Sequence, residues 1–207
     1  MKKLFLILTI TLMTASVSQA QKMKIGIKGG VNFATLGAEG LGKLKSHTGY
    51  HVGGVIEIPI FEYFSIQPEV LYSIQGASYS GNDKGVGIEL DIDLNYIQVP
   101  IMAKFNATDA FSIEIGPQVG YLNSSKSQYK GTIDGIGIIE GDDLFEFESI
   151  DVAISIGATY RLPIGVFLSA RYNMGQTNLN DKTLYDSFFG DLKLYNKVFQ
   201  LSVGFSF

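Results

Sequence analysis

Nine charged residues recur at positions that share one side of alternating segments: Lys24, Lys28, Glu57, Glu69, Lys104, Glu114, Asp151, Arg161 and Arg171. Within each segment every second residue is large and apolar, so the charges occupy the opposite face of a β-strand. Gln67, Gln98, Gln118, Asn173 and Gln200 fall on the same face. Five basic and four acidic groups nearly cancel. Opposite charges crowded onto one enclosed face must pair, because an unpaired buried charge is expensive. The chemistry this pattern predicts is electrostatic: a plug of ion pairs or, if the space is hydrated, a path for ions. A ring of eight strands is narrow enough for side chains to fill it, which favours the plug.

Other candidate chemistry is thin. His47 and His51 are the two histidines. On a strand their i, i+4 spacing points both the same way, about 13 Å apart, which suits two residues near a barrel mouth better than a metal site. Ser46, His47 and Ser149 are candidates for a lipid-modifying centre near a membrane rim, but no motif ties them together. Asp142, Asp143, Glu146 and Glu148 form one acidic cluster, and Asp83, Glu89, Asp91 and Asp93 another. Their spacing does not match an EF-hand loop, and a solvated acidic face is the expectation. Gly135 to Ile139 reads as a strand extension, since neither the Lys nor the Ser/Thr of a phosphate loop follows. Catalytic residues, cofactors and bound metals are expected to be absent, and the chain is not expected to be an enzyme.

The elements that position the charges are eight segments of period-two alternation: Met23–Thr35, Thr48–Ile60, Phe64–Ser78, Asp93–Asn106, Ala110–Asn123, Ser149–Leu162, Gly165–Gly175 and Lys197–Phe207. They are long for globular strands, which typically run five or six residues. Their apolar face carries Ile25, Val52, Val70, Ile101, Ile115, Ile154, Leu168 and their alternate neighbours, with no charge among them. Connections alternate between short (Phe61–Tyr63, Ala107–Asp109, Pro163-Ile164) and long (Leu36–His47, Tyr79–Ile92, Ser124–Glu148, Gln176–Asn196). Long strands, asymmetric loops and an uncharged face predict an all-β fold: an eight-stranded antiparallel up-and-down transmembrane barrel with short periplasmic turns and long extracellular loops. A soluble β-domain with the apolar face inside is the competing expectation. In the last segment Phe199, Leu201, Val203, Phe205 and Phe207 alternate with small or polar residues and end on an aromatic. They are expected on the lipid face, Phe205 and Phe207 in the interfacial girdle.

Residues 1–20 read as a cleaved signal peptide: Lys2 and Lys3, an apolar run from Leu4 to Met13, and a small-residue cleavage site ending at Ala20. The run is too short for a membrane anchor, since a spanning helix needs about 20 residues. The barrel domain is then 21–207, exported by a Sec-type route to the cell outer membrane. The chain has 16 Lys and Arg against 20 Asp and Glu, so its formal net charge of −4 becomes −6 once Lys2 and Lys3 leave with the signal. That balance argues against nucleic-acid binding, which needs a basic face. The absence of cysteine rules out disulfides and thiolate sites. Charged residues make up 17%, below the roughly 25% of soluble domains.

Leu94-Asn95-Tyr96-Ile97-Gln98-Val99-Pro100-Ile101-Met102-Ala103-Lys104-Phe105 resembles the central motif of the PorT-like outer-membrane β-barrel family, with Gln98 where Glu is usual. Gly26-Ile27-Lys28-Gly29-Gly30-Val31-Asn32-Phe33 and Ile66-Gln67-Pro68-Glu69-Val70-Leu71-Tyr72-Ser73 carry the same likeness. The resemblance covers the mature chain and implies a small barrel of the OmpA/OmpX type. It also implies that the C-terminal aromatic pattern is an assembly signal, and it carries no one activity. The functional expectation is a monomeric structural or interaction barrel with a plugged interior, a binding or secretion-associated scaffold. Its expected partners are outer-membrane lipid, lipopolysaccharide and the barrel-assembly machinery, with any protein partner unknown. A narrow pore for ions or small solutes is the first alternative, and a lipid-modifying enzyme the second.

Overall fold

The computed structural model describes residues 23–38, 45–83, 86–133, 137–142, 147–179 and 193–207. The stretch read as a signal peptide lies outside them. The strands are β1 (Lys24–Ala38), β2 (Lys45–Phe61), β3 (Phe64–Asp83), β4 (Val86–Asn106), β5 (Phe111–Ile133), β6 (Gly137–Asp142), β7 (Ile150–Arg161), β8 (Val166–Gly175) and β9 (Leu194–Ser206). All pairings are antiparallel. Eight strands form a ring in chain order, β1 through β5 and then β7, β8 and β9, and β9 pairs β1 to close it. β6 pairs only with the far end of β5 and stands outside the ring.

The alternation seen in the sequence places the apolar set outside. Ile27, Val52, Val70, Ile101, Ile115, Ile156 and Leu168 are all exposed, as are the five C-terminal residues Phe199, Leu201, Val203, Phe205 and Phe207. The polar set is inside, where Lys28, Glu69, Gln98, Lys104, Glu114, Arg171 and Gln200 are buried. This is the inverse of a soluble β-domain, in which the apolar side chains would fill the core. An apolar exterior on the eight strands of the ring suits a hydrocarbon solvent, and ring closure leaves no ring strand with an unpaired edge in it.

Three short turns gather at one end of the ring, with the start of β1 and the end of β9. Leu162 to Gly165 joins β7 to β8; Gly165 has φ +89° and its N–H donates to the Leu162 carbonyl at 3.1 Å. A Cβ at Gly165 would sit 2.6 Å from the Ser206 carbonyl oxygen, so this turn requires glycine. Ile25 and Phe207 exchange backbone hydrogen bonds at the same end (3.2 and 2.9 Å), which fixes the C-terminus to the first strand.

The other end departs from the sequence reading. Tyr79–Ile92, read as a long loop, is mostly strand: the β3–β4 ladder runs unbroken from Leu71↔Gln98 to Asp83↔Val86. Likewise β5 continues to Ile133, and β6 folds back on it from Ile133↔Gly137 to Gln128↔Asp142. β3, β4 and β5 have 20, 21 and 23 residues, about twice what a tilted membrane strand needs. The excess forms a wall on one side of the long-loop end. Its side chains need not be apolar, because past the membrane both faces can meet water, and this is why the pattern that marks a membrane strand disappears there.

Candidate functional site: the filled lumen

The short-turn half of the lumen holds one continuous ion-pair network. Glu57 (β2) accepts from Lys104 Nζ (β4) at 3.0 Å and from Arg161 Nη2 (β7). Lys104 also donates to Gln67 Oε1 at 3.0 Å, and Gln67 Nε2 donates to Glu69 Oε1 at 2.6 Å. Glu69 (β3) receives Lys28 Nζ at 2.7 Å and both terminal nitrogens of Arg171 (β8) at 2.9 and 2.8 Å. Arg171 reaches past Glu69 to Glu114 Oε1, with Nη2 at 2.7 Å and Nε at 3.0 Å, and Thr159 Oγ1 donates to the second Glu114 oxygen at 3.4 Å. The two-oxygen fit of a guanidinium fork to a carboxylate is why arginine suits this position. Register explains the meeting: Glu114, Gly157 and Arg171 lie in one row across β5, β7 and β8, and Gly157 leaves the space that a side chain would take.

Seven of the nine charged residues singled out in the sequence thus join one network. The other two stand apart. Lys24 is exposed at the short-turn mouth, beside a cavity of about 320 Å³ also lined by Glu57, Lys104, Asp109 and Arg161. Asp151 is buried towards the long-loop end, where Asn196 Nδ2 donates to its Oδ2 at 3.2 Å.

Above the ion pairs lies a neutral network. His51 is in the lumen and buried, not at the barrel mouth expected for it and His47. Its Nδ1 is 2.8 Å from Asn32 Oδ1 and its Nε2 is 2.7 Å from Ser202 Oγ. Asn32 Nδ2 donates to Ser73 Oγ (3.0 Å) and to the carbonyls of Tyr50 and Ile74, while Gln200 Nε2 donates to Asn32 Oδ1. Gln75 continues the chain through Ser73 and Asn196. The Ser202, His51, Asn32 order matches the donors and acceptors of a hydrolytic triad. All three are, however, buried among lumen side chains, and Asn32 Nδ2 is taken by bonds to Ser73 and two backbone carbonyls. The strand parity that puts Glu57 inside also puts His51 inside, six residues earlier, and Lys28 likewise implies Asn32. That signal was available in the sequence.

The long-loop half is closed by apolar side chains. Leu36, Ala77, Ile92, Leu94, Tyr96 and Leu194 point inward from β1, β3, β4 and β9, and Phe147 and Leu179 fold in from two loops to join them. Leu179 is held by backbone bonds to Leu194 and Glu148, at 2.8 and 3.1 Å. Each such side chain gains roughly 1.5–3 kcal/mol by leaving water. Both residues lie in stretches that the sequence reads as connections, so neither was singled out.

The remaining candidates do not assemble. His47 Nε2 lies 3.2 Å from Asp93 Oδ1 near the mouth, Ser46 Oγ donates to the Ala34 carbonyl, and Ser149 is exposed; no side-chain hydrogen bond joins them. The described parts of the acidic clusters are linked by strand register, Asp91↔Gln128↔Asp142. Asp143 and Glu146 lie outside the described residues. Among those described, no three His, Cys, Asp or Glu side chains converge on a point.

Comparison with known proteins agrees with this geometry. The attachment invasion locus protein Ail of Yersinia pestis superposes with a TM-score of 0.52 at 12% identity, covering 89% of this chain and 98% of that one. Neisserial surface protein A (NspA) follows at 0.49 and 14% identity, covering 89% and 97%. CarO of Acinetobacter baumannii gives 0.45 and 14%, covering 87% and 97%. At 12% identity the likeness to Ail is one of fold. No curated protein matches the chain. The model of the outer membrane protein beta-barrel domain matches residues 18–181, most of the chain. With its closed ring of eight antiparallel strands and its apolar exterior, the chain belongs to the outer membrane protein beta-barrel domain family.

Proposed function

We propose that this barrel is a structural or interaction element of the outer membrane, working through its turns, loops and extracellular wall, and neither a porin nor an enzyme. The observation that carries the reading is the doubly filled lumen: an ion-pair network in one half and an apolar plug in the other. The orientation that goes with it puts the short turns and both termini in the periplasm and the wall of β3 to β6 outside the cell. Outer-membrane lipid and lipopolysaccharide are then its immediate surroundings, and the closed ring supports a monomer. Within the family, Tyr96-Ile97-Gln98-Val99-Pro100 supports a place among PorT-like members. The two alternative readings, a narrow pore and a lipid-modifying enzyme, lack a supporting feature among the described residues.

Planar-bilayer recording tests the proposal. Purified protein should give no steady unitary conductance in 1 M KCl, whereas reproducible steps of constant size would make it a pore.

The C-terminal residues are proposed as the assembly signal. Phe207 is exposed, its ring centroid 6.2 Å from that of Phe205, and it contributes little packing. Phe207→Ala should therefore lower the folded fraction in cells while leaving refolding from urea into detergent unchanged. A wild-type yield in membranes would remove this role from Phe207.

A further inference from the structure

We infer that the upper lumen holds a site for one monovalent cation, centred on the carboxylate of Asp151. The lumen's other carboxylates, Glu57, Glu69 and Glu114, all have basic partners. Asp151 is 3% exposed and has no ion pair within 4.0 Å among the described residues; its one side-chain bond is from Asn196 to Oδ2, and Oδ1 is unpartnered.

The groups around Oδ1 have the chemistry of a cation cage. Asp151, Gly120 and Gln98 lie in one row across β7, β5 and β4. Gly120 carries no side chain there, and a Cβ on it would lie 3.2 Å from the Tyr96 ring and 3.7 Å from Gln98 Cγ, so the row is tight. Gln118 is the next lumen residue along β5, and its register partner is Ala153, the next on β7. The side-chain oxygens of Gln98, Gln118, Asn196 and Tyr96 are buried and lack hydrogen-bond partners, like Asp151 Oδ1. Orphaned buried oxygens are rare in folded proteins, because each forfeits its hydration. Here Asn196 bonds Asp151 directly, Gln98 and Gln118 adjoin it in strand register, and the single formal charge among these groups is negative. Amide and carboxylate oxygens are what a hard cation takes as ligands. One carboxylate balances one positive charge. The ion-pair network, with four basic and three acidic groups, already carries a net +1, and a divalent ion would add more to that excess, so the site fits Na⁺ or K⁺ better than Ca²⁺ or Mg²⁺. The apolar plug directly above, from Leu94, Phe147, Leu179 and Leu194, closes it towards the long-loop end. The ion would be structural, and it extends the closed-lumen reading without depending on it, since a cation bound at Asp151 is compatible with a conducting or a silent barrel.

The test compares purified barrel in detergent, refolded in choline chloride, NaCl or KCl at equal ionic strength and pH. Expected is a thermal midpoint that rises with Na⁺ or K⁺ relative to choline, saturates, and differs between the two. Asp151→Asn should abolish the response, and should be close to wild type in choline. If that variant fails to fold, Gln118→Leu is read instead and should weaken the response. Crystals soaked in thallium(I) should give an anomalous peak beside Asp151 Oδ1. Identical midpoints in the three salts with no thallium peak would overturn the inference, and so would stability that follows pH alone, which would mean that Asp151 is held as the neutral acid.

Discussion

Arg171→Gln is expected to destabilise the barrel by about 3–5 kcal/mol, the cost of breaking a dry ion pair by removing one partner. The effect is large because the guanidinium serves two carboxylates at once. Glu69 would keep Lys28, at 2.7 Å. Glu114 would keep only the long hydrogen bond from Thr159, at 3.4 Å, and would be a buried charge with no cation. Residual lumen water lowers the figure. Arg171→Lys should recover part of the loss, since an ammonium supplies the charge without the fork. Urea unfolding in micelles, followed by circular dichroism, measures both. Arg171→Gln combined with Glu114→Gln should be less unstable than Arg171→Gln alone, because the stranded charge leaves with its partner. Equal stability for wild type and Arg171→Gln would mean that the lumen is wet enough to solvate these groups.

Ile115→Arg should cost about 2–4 kcal/mol, and Tyr121→Arg about 0–1 kcal/mol, although both side chains lie on the exposed face of β5. The difference is depth. Ile115 is the fifth residue of β5, about halfway along the roughly ten residues that a tilted strand needs to cross a bilayer, in register with Ala103 and Ile156, and a charge there meets hydrocarbon. Tyr121 is beside the start of the extracellular wall, where an aromatic girdle gives way to water. Refolding into lipid vesicles over a urea series gives the two values. In a water-soluble barrel both arginines would face solvent and neither would matter, so equal, small effects would contradict the membrane assignment.

How much of this was legible in the sequence follows from what each region had to satisfy. Inside the membrane every residue is either lipid-facing or lumen-facing, so period-two alternation is enforced, and the ring, the exposed face of Ile27 to Leu201 and the inward set around Arg171 all came from it. Past the membrane the constraint lapses. Gly81, Asn82, Asp83, Gly85 and Gly87 read as turn residues, yet the β3–β4 ladder carries most of them, because register once set continues without apolar side chains. The plug escaped notice for another reason. Phe147 and Leu179 lie in stretches read as connections, and only the closed ring gives them something to pack against. Which lumen groups meet is likewise a matter of shear between strands: Lys28 and Glu69 are two strands apart, and parity alone places them on one face without saying that they touch.

The most direct test of the closed, inverted barrel uses the chain's lack of cysteine. Single cysteines at lumen positions Ser73 and Gln118, at lipid-facing Val52 and Ile115, and at loop position Ser149 are exposed to a charged, water-soluble thiol reagent in intact vesicles. The account predicts rapid labelling at Ser149, and at the four membrane positions labelling only after denaturation, with a lipid-soluble reagent reaching Val52 and Ile115 alone. Rapid labelling at positions 73 and 118 by the charged reagent would contradict it, because the lumen would then be an open aqueous path.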